Sequence, residues 1–197
     1  MPWVNVMVVT LSPNERRILL SLARQAIEDA VLDRPFTPLD LEGVPEALRQ
    51  PGATFVTLTI QGSLRGCIGA LEAYQPLAED AREHAAAAAL QDYRFPPLEE
   101  NELKDLKIEI SRLTPPQALS YQTSEELLER LRPGIDGVIL RDGPRRSTFL
   151  PQVWEKLPQP ADFLSHLCAK MGANPNLWCD KPLQVYTYQV EEFHEED

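Results

Sequence analysis

The chain has 197 residues, 43% hydrophobic and 25% charged, with a formal net charge of −11 at pH 7. That length can bury a full core in one domain or two small lobes, and the composition excludes fibrous and disordered classes. Thirty acidic against 19 basic residues create a field that repels a phosphate backbone, so nucleic acid is not expected as the principal partner.

Met1 to Val9 is apolar but has no basic stretch before it and is too short to cross a bilayer, so residues 1–10 read as an N-terminal extension. Ser12 Pro13 Asn14 Glu15 then combines an N-cap serine, a proline at the first helical position and the glutamate of a capping box. The helix it opens runs to about Asp33, with Leu19, Leu22, Ala23, Ala26, Ile27, Ala30 and Val31 on one face. Pro35, Pro38 and Pro45 punctuate the stretch that follows, with a short helical turn at Pro45 to Gln50. Ala53 to Ile60 is β-branched and apolar and predicts a strand, Gln61 Gly62 Ser63 a turn, and Leu64 to Leu71 the returning strand of a hairpin. Pro76 opens a helix to about Leu90 that sets Leu77, Ala81, His84, Ala85 and Ala88 on one face.

Arg94 Phe95 Pro96 Pro97 Leu98 is a stiff connector, and Leu106, Ile108 and Ile110 then alternate with Lys107, Glu109 and Ser111 as a half-buried strand ended by Pro115 Pro116. Thr123 and Glu126 cap a helix that stops at Pro133 Gly134. Gly137 to Arg141 and Ser147 to Leu150 flank Asp142 Gly143 as a second hairpin, whose tip makes Arg141, Arg145 and Arg146 a solvated cluster rather than a phosphate site. A helix from about Ala161 to Met171 is closed by Gly172, Gln184 to Val190 is the last strand, and residues 194–197 end an acidic tail in which His194 reads as solvated. This order lacks the βαβα alternation of a doubly wound fold and predicts an α+β protein, a mixed or antiparallel sheet with helices packed on it. The proline clusters at 96–97 and 115–116 either set off a smaller lobe at about 76–135 or connect elements within one domain.

Chemistry concentrates in Leu64 Arg65 Gly66 Cys67 Ile68 Gly69. In an extended strand Arg65, Cys67 and Gly69 share one face, which makes the arginine and the cysteine neighbours. Gly66 and Gly69 weaken a strand unless a bulge, a bend or a close approach to the backbone needs the missing side chains, and a ligand reaching the backbone is one such need. Arg65 is therefore read as an anchor for a carboxylate or phosphate, and Cys67 as a nucleophile or as a small buried hydrophobe. His84 is either a base serving Cys67 or a satisfied core histidine. Cys67, Cys168 and Cys179 form no CxxC pair, and an odd number of cysteines fits a reducing, cytoplasmic compartment. His166, Cys168 and Cys179 lack the short paired spacings of zinc sites, so no metal is expected, and the absence of GxGxxG, Walker, HExxH and GxSxG motifs leaves the cofactor unknown.

With these residues in view, Leu64 to Gly69 resembles the signature hexapeptide of the AMMECR domain family. Pro76 Leu77 Ala78 Glu79, Arg94 to Leu98, Leu113 to Pro116, Gly137 to Leu140, Thr148 to Trp154, Phe163 Leu164, Leu167 Cys168 and Tyr188 to Phe193 resemble its other blocks in the same order, so the likeness covers about residues 11–193 as a single domain. Ala70 stands where the family often has threonine. The resemblance implies an α+β fold with two subdomains and a cleft near the hexapeptide. It also implies a family without an established activity, whose microbial members are called protein A of the AmmeMemoRadiSam system beside a Memo-type protein and a radical SAM enzyme. The leading expectation is an enzyme-like cleft protein: Arg65, Gly66 and Gly69 hold a small anionic ligand, Cys67 and His84 stand at the reacting centre, and Phe149, Gln152 and Trp154 form a wall. The rival expectation is a non-catalytic adaptor for the same two partners.

Overall fold

The computed structural model describes residues 10–195; apart from Thr10, the expected N-terminal extension lies outside the described residues, as do Glu196 and Asp197 of the acidic tail. In chain order the elements are α1 (Pro13–Val31), α2 (Glu46–Arg49), β1 (Pro51–Ile60), β2 (Ser63–Gly69), β3 (Gln75–Pro76), α3 (Leu77–Leu90), β4 (Leu106–Leu113), β5 (Gln117–Ala118), α4 (Ser124–Arg130), β6 (Gly137–Asp142), β7 (Arg145–Phe149), α5 (Pro160–Lys170), α6 (Leu177–Asp180), β8 (Gln184–Tyr188) and β9 (Val190–His194), with 3-10 turns at Glu100–Asp105 and Pro151–Glu155. Two compact units result: one runs through Leu113 and resumes at Glu191, the other is Thr114–Val190. Pro115 Pro116 stands at the first crossing, whereas Pro96 and Pro97 lie inside the first unit. The fold is α+β, as the order of elements predicts.

In the first unit the strands run β2-β1-β4-β9, with β3 also pairing β1. β1 and β2 are joined at Gln61 and Gly62, both at positive φ (50° and 76°), the two-residue turn whose twist matches that of antiparallel strands. Period-two alternation then sends Val56, Leu58, Ile108 and Ile110 to one face, where Leu19, Ala23 and Ile27 of α1 and Ala78, Ala81, Ala85 and Ala88 of α3 complete a single core. The Ser12–Glu15 capping box starts α1 as read from the sequence, with both reciprocal hydrogen bonds present. The alanine face of α3 has a purpose: without longer side chains between them, helix backbone and sheet come close.

The acidic tail departs from expectation. From Val190 the chain forms β9 beside β4. The Glu191 carboxylate, its side chain 9% exposed, accepts from the Leu11 N–H, Arg16 and Arg112, while Glu195 pairs with Arg24. Composition alone makes these carboxylates look solvated, whereas arginines on α1 and β4 neutralise them in place. His194 is exposed, as expected.

The second unit orders its strands β5-β8-β6-β7. The predicted hairpin forms with Asp142 opposite Arg145 and Gly143 at φ 59°. At its tip Asp142 takes ion pairs from both Arg145 and Lys181, which hold its carboxyl below the usual carboxylate range, Lys181 contributing most. No helix among the described residues is long and apolar enough to cross a membrane.

Candidate functional site

The hexapeptide is most of β2, the edge strand of the first sheet. Its pairing with β1 is interrupted: Leu58 faces Gly66 but Thr59 faces Leu64, so Arg65 is the extra residue of a β-bulge. The two glycines are explained by close approach. A Cβ on Gly66 would lie 2.2 Å from the carbonyl oxygen of Ala88 in α3, and one on Gly69 would lie 2.4 Å from the Thr54 carbonyl and 2.5 Å from the Phe55 ring. What approaches these glycines is the protein's own backbone and an aromatic ring.

Gly66 faces α3, so alternation sends Cys67 to the opposite face, where it sits half-buried and its sulfur accepts the Thr57 hydroxyl at 3.4 Å. The backbone of Cys67 points off the open edge and is held there twice. Its N–H donates to Asp92 Oδ2 at 2.9 Å, and its carbonyl accepts from Arg94 at 3.3 Å. Asp92, its side chain 2% exposed, also accepts the Arg94 N–H and two guanidinium bonds, at 2.9 and 2.6 Å. Those guanidinium bonds above all, with the N–H groups of Cys67 and Arg94, hold the Asp92 carboxyl far below the usual carboxylate range despite its burial; the carboxylate in turn raises Arg94. Charged hydrogen bonds of this kind contribute about 1.5–3 kcal/mol each.

Arg65 is turned away from Cys67 by the bulge. Its guanidinium makes a two-point pair with Glu102 at 2.8 and 2.9 Å and donates to the carbonyls of Pro96 and Pro97 at 2.8 and 3.2 Å. It ties down the connector predicted from Arg94 to Leu98. The cation that stands beside Cys67 is Arg94, 44% exposed at its side chain.

Nor does His84 join the cysteine. Its Nδ1 bonds Asp80 Oδ2 at 3.1 Å, and the same oxygen accepts the N–H and hydroxyl of Thr54, both at 2.7 Å. This buried cluster belongs to the α3 side of the sheet, and the strand stands between it and the Cys67 sulfur. Phe149, Gln152 and Trp154 lie on the second unit. Trp154 stacks on Phe163 at 3.7 Å and donates its indole N–H to the Asp136 carbonyl, and Phe149 meets Phe163 edge-on at 5.3 Å, so Trp154 is core of that unit and the partly buried Phe149 packs against it; Gln152 is exposed. Cys168 is buried and its thiol is pushed up by that burial, Cys179 is exposed, and His166 is exposed with Nδ1 against the Asp162 carbonyl.

Sequence reading missed the neighbours that matter. Thr57 is opposite Cys67 on one side and Glu109 on the other, so thiol, hydroxyl and carboxylate form one cross-strand row on the face away from the helices. The next row on that face is Gly69, Phe55 and Ser111. The alternation of Glu109 and Ser111 with Ile108 and Ile110 was the available signal, but only the register of three strands joins them to Cys67. A groove of about 1070 Å³ elsewhere on the first unit, between Arg16, Arg17 and Arg24 of α1 and Lys104, Phe193 and Glu195, includes none of the hexapeptide.

Comparison with known proteins places this geometry in a family. The AMMECR1 family model matches residues 20–193. A protein of Methanothermobacter thermautotrophicus is 38% identical over 94% of this chain and 97% of its own length, and one of Thermococcus onnurineus is 39% identical over 90% and 89%. The crystal structure of the uncharacterized protein PH0010 from Pyrococcus horikoshii superposes with a TM-score of 0.74 at 33% identity, covering 94% of each chain. The chain therefore belongs to the AMMECR1 family.

Proposed function

We propose that Cys67 is the functional centre of an enzyme-like binding site for a small anionic ligand, with Arg94 rather than Arg65 as the anion's anchor, and that the protein works with the Memo-type and radical SAM proteins its family resemblance implies. The observation that carries this reading is the clamp on Cys67. Asp92 and Arg94 fix both backbone groups of one half-buried residue whose sulfur accepts the Thr57 hydroxyl. Fixing a reactive side chain by surrounding hydrogen bonds is how a site is held ready for a ligand.

Competitive labelling tests it. Iodoacetate and iodoacetamide alkylate a thiol with loss of iodide and differ in charge, so Arg94 favours the first over the second at Cys67. Cys179 is the internal control, its thiol pushed up by lost solvation and by Asp180 and Glu125. Cys67 is expected to react faster than Cys179 with iodoacetate, and Arg94→Gln to lower the iodoacetate-to-iodoacetamide ratio at Cys67 severalfold. A Cys67 that reacts no faster than Cys179 with either reagent sinks the proposal.

A second reading, the non-catalytic adaptor, draws on Leu64 and Tyr93, which are 44% and 94% exposed along the same edge. Exposed aromatic and aliphatic side chains are what a protein partner would cover. Under this reading Tyr93→Ser with Leu64→Ser abolishes partner binding and Cys67→Ala leaves it intact; under the first, Cys67→Ala abolishes partner-dependent activity.

A further inference from the structure

Glu109 lies one strand beyond Thr57 in the row that begins at Cys67, on the face away from α1 and α3. It is half-buried, and its carboxylate makes no hydrogen bond or ion pair among the described residues. A carboxylate partly withdrawn from water is normally paired, as Glu102, Glu191 and Asp92 are in this same unit. Two residues on, Ser111 is only 9% exposed, faces the same side, and its hydroxyl also bonds nothing among the described residues. Phe55, between Ser111 and Gly69, lays its ring against Gly69 and walls the row on that side. One face of three strands thus carries, in order, the thiol of Cys67, the hydroxyl of Thr57 and the carboxylate of Glu109, with the Ser111 hydroxyl diagonal to Thr57, and the guanidinium of Arg94 bonds the Cys67 carbonyl off the edge.

We propose that Glu109, with Ser111, recognises a cationic or hydrogen-donating group of the ligand held at Cys67, so that the ligand is dipolar: an anionic group toward Arg94 and an ammonium or comparable donor toward Glu109. This rests on the Cys67 reading and adds the ligand class. Adjacent strands lie about 4.8 Å apart, so Glu109 stands about 10 Å from Cys67 across β2, β1 and β4, and Arg94 lies beyond Cys67 at the edge. A ligand that meets both is a zwitterion with an extended chain between its charges. Ser111 accepts from, or donates to, whatever stands between Glu109 and the Phe55 ring.

Thiosulfonates of different charge test this on the full chain. Methyl methanethiosulfonate and its 2-aminoethyl analogue transfer a neutral and a cationic thiol group to a cysteine, forming a disulfide and releasing methanesulfinate. The ratio of their rates at Cys67 is the readout. A carboxylate at this distance in a half-solvated site alters the local concentration of a cation about fivefold. Glu109→Gln is expected to lower the cationic-to-neutral ratio at Cys67 by about that factor and to leave the ratio at Cys179 unchanged; Glu109→Asp is expected to retain most of it. Glu109→Ala gives the same reading if the amide variant does not fold. If Cys67 labels selectively and responds to Arg94→Gln while Glu109→Gln and Glu109→Ala leave the ratio unmoved, the dipolar ligand is refuted and the thiol site stands. If Cys67 labels no faster than Cys179 with any reagent, both fall.

Discussion

Gly66→Ala tests whether the hexapeptide is shaped by the protein's own helix. An added Cβ would sit 2.2 Å from the Ala88 carbonyl oxygen and 3.1 Å from its carbon, where ordinary contact begins at 3.4 Å. Strand and helix must therefore separate by about 1 Å. Neither gives way cheaply, because Ala81, Ala85 and Ala88 bury α3 against the sheet and Asp92, just past the end of α3, holds the next residue of the strand. Overpacking of a closed core costs about 1–3 kcal/mol, and here the clash is with backbone, so about 3 kcal/mol is expected, roughly 10 °C in melting temperature. Gly62→Ala is the control: nothing lies within 4 Å, and only its φ of 76° disfavours a side chain, at about 1 kcal/mol. Hydrogen exchange at β1 and β2 amides is the measurement, since Trp154 and Trp178 lie on the second unit and would report its unfolding instead. If Gly66→Ala costs no more than Gly62→Ala, the close approach is not what requires the glycine.

Three further outcomes are expected. Asp92→Asn should cost about 2 kcal/mol at neutral pH, since charged hydrogen bonds to Arg94 and the Cys67 N–H are replaced by weaker ones. The folded-state pKa of Asp92 is depressed, so its stabilisation is full above the unfolded value near ~4 and is lost as pH falls below it; the gap between wild type and Asp92→Asn in urea melts should shrink from about pH 5 toward pH 2, and a gap that widens on acidification contradicts the clamp. Arg65→Ala should release the 96–102 connector, costing about 1–3 kcal/mol by leaving the half-buried Glu102 with the Glu99 N–H but without its cation, yet keep the reagent-charge preference at Cys67, which iodoacetate labelling would check. Trp154→Phe should keep the stack on Phe163 but orphan the buried Asp136 carbonyl, lowering the second unit's stability by about 1–3 kcal/mol in denaturant titrations followed by Trp178 fluorescence in a Trp3→Phe background.

What the sequence made legible was whatever short-range chemistry sets. The Ser12–Glu15 box, the hairpins at Gln61 Gly62 and Asp142 Gly143, and the alanine face of α3 each carry their cause within a few residues, and each is found where it was predicted. The membership of the site was not legible in that way. Arg65 and Cys67 share a face in an unbroken strand, but the bulge at Arg65 sends the guanidinium to Glu102, 37 residues on. The true neighbour cation, Arg94, is 27 residues from Cys67 and was read only as part of a stiff connector. Thr57 and Glu109 meet Cys67 through register, which turns and bulges set and which composition does not record. His84 was placed on the right face of the right helix; its orientation toward Asp80 and Thr54 follows from which side of the sheet α3 covers. The acidic end misled for a related reason, since its partners Arg16, Arg24 and Arg112 lie in distant elements.

The clamp also bears on which partner can use this edge. An open edge strand ordinarily offers its N–H and C=O groups as a template for another strand, and proteins that bind by strand addition exploit that row. At Cys67 both groups are already engaged, by Asp92 and Arg94, and Arg65 fastens the following connector through Pro96, Pro97 and Glu102. A peptide laid along β2 would have to break charged hydrogen bonds before it made neutral ones, an exchange that loses free energy. Whatever meets this segment therefore meets side chains: the thiol and hydroxyl on one face, or Leu64 and Tyr93 along the rim. The ligand-site and adaptor readings thus predict different chemistry from one scaffold, and neither can rest on backbone pairing. A bound partner found hydrogen bonded to the Cys67 N–H, with Asp92 displaced, would overturn that argument at its root.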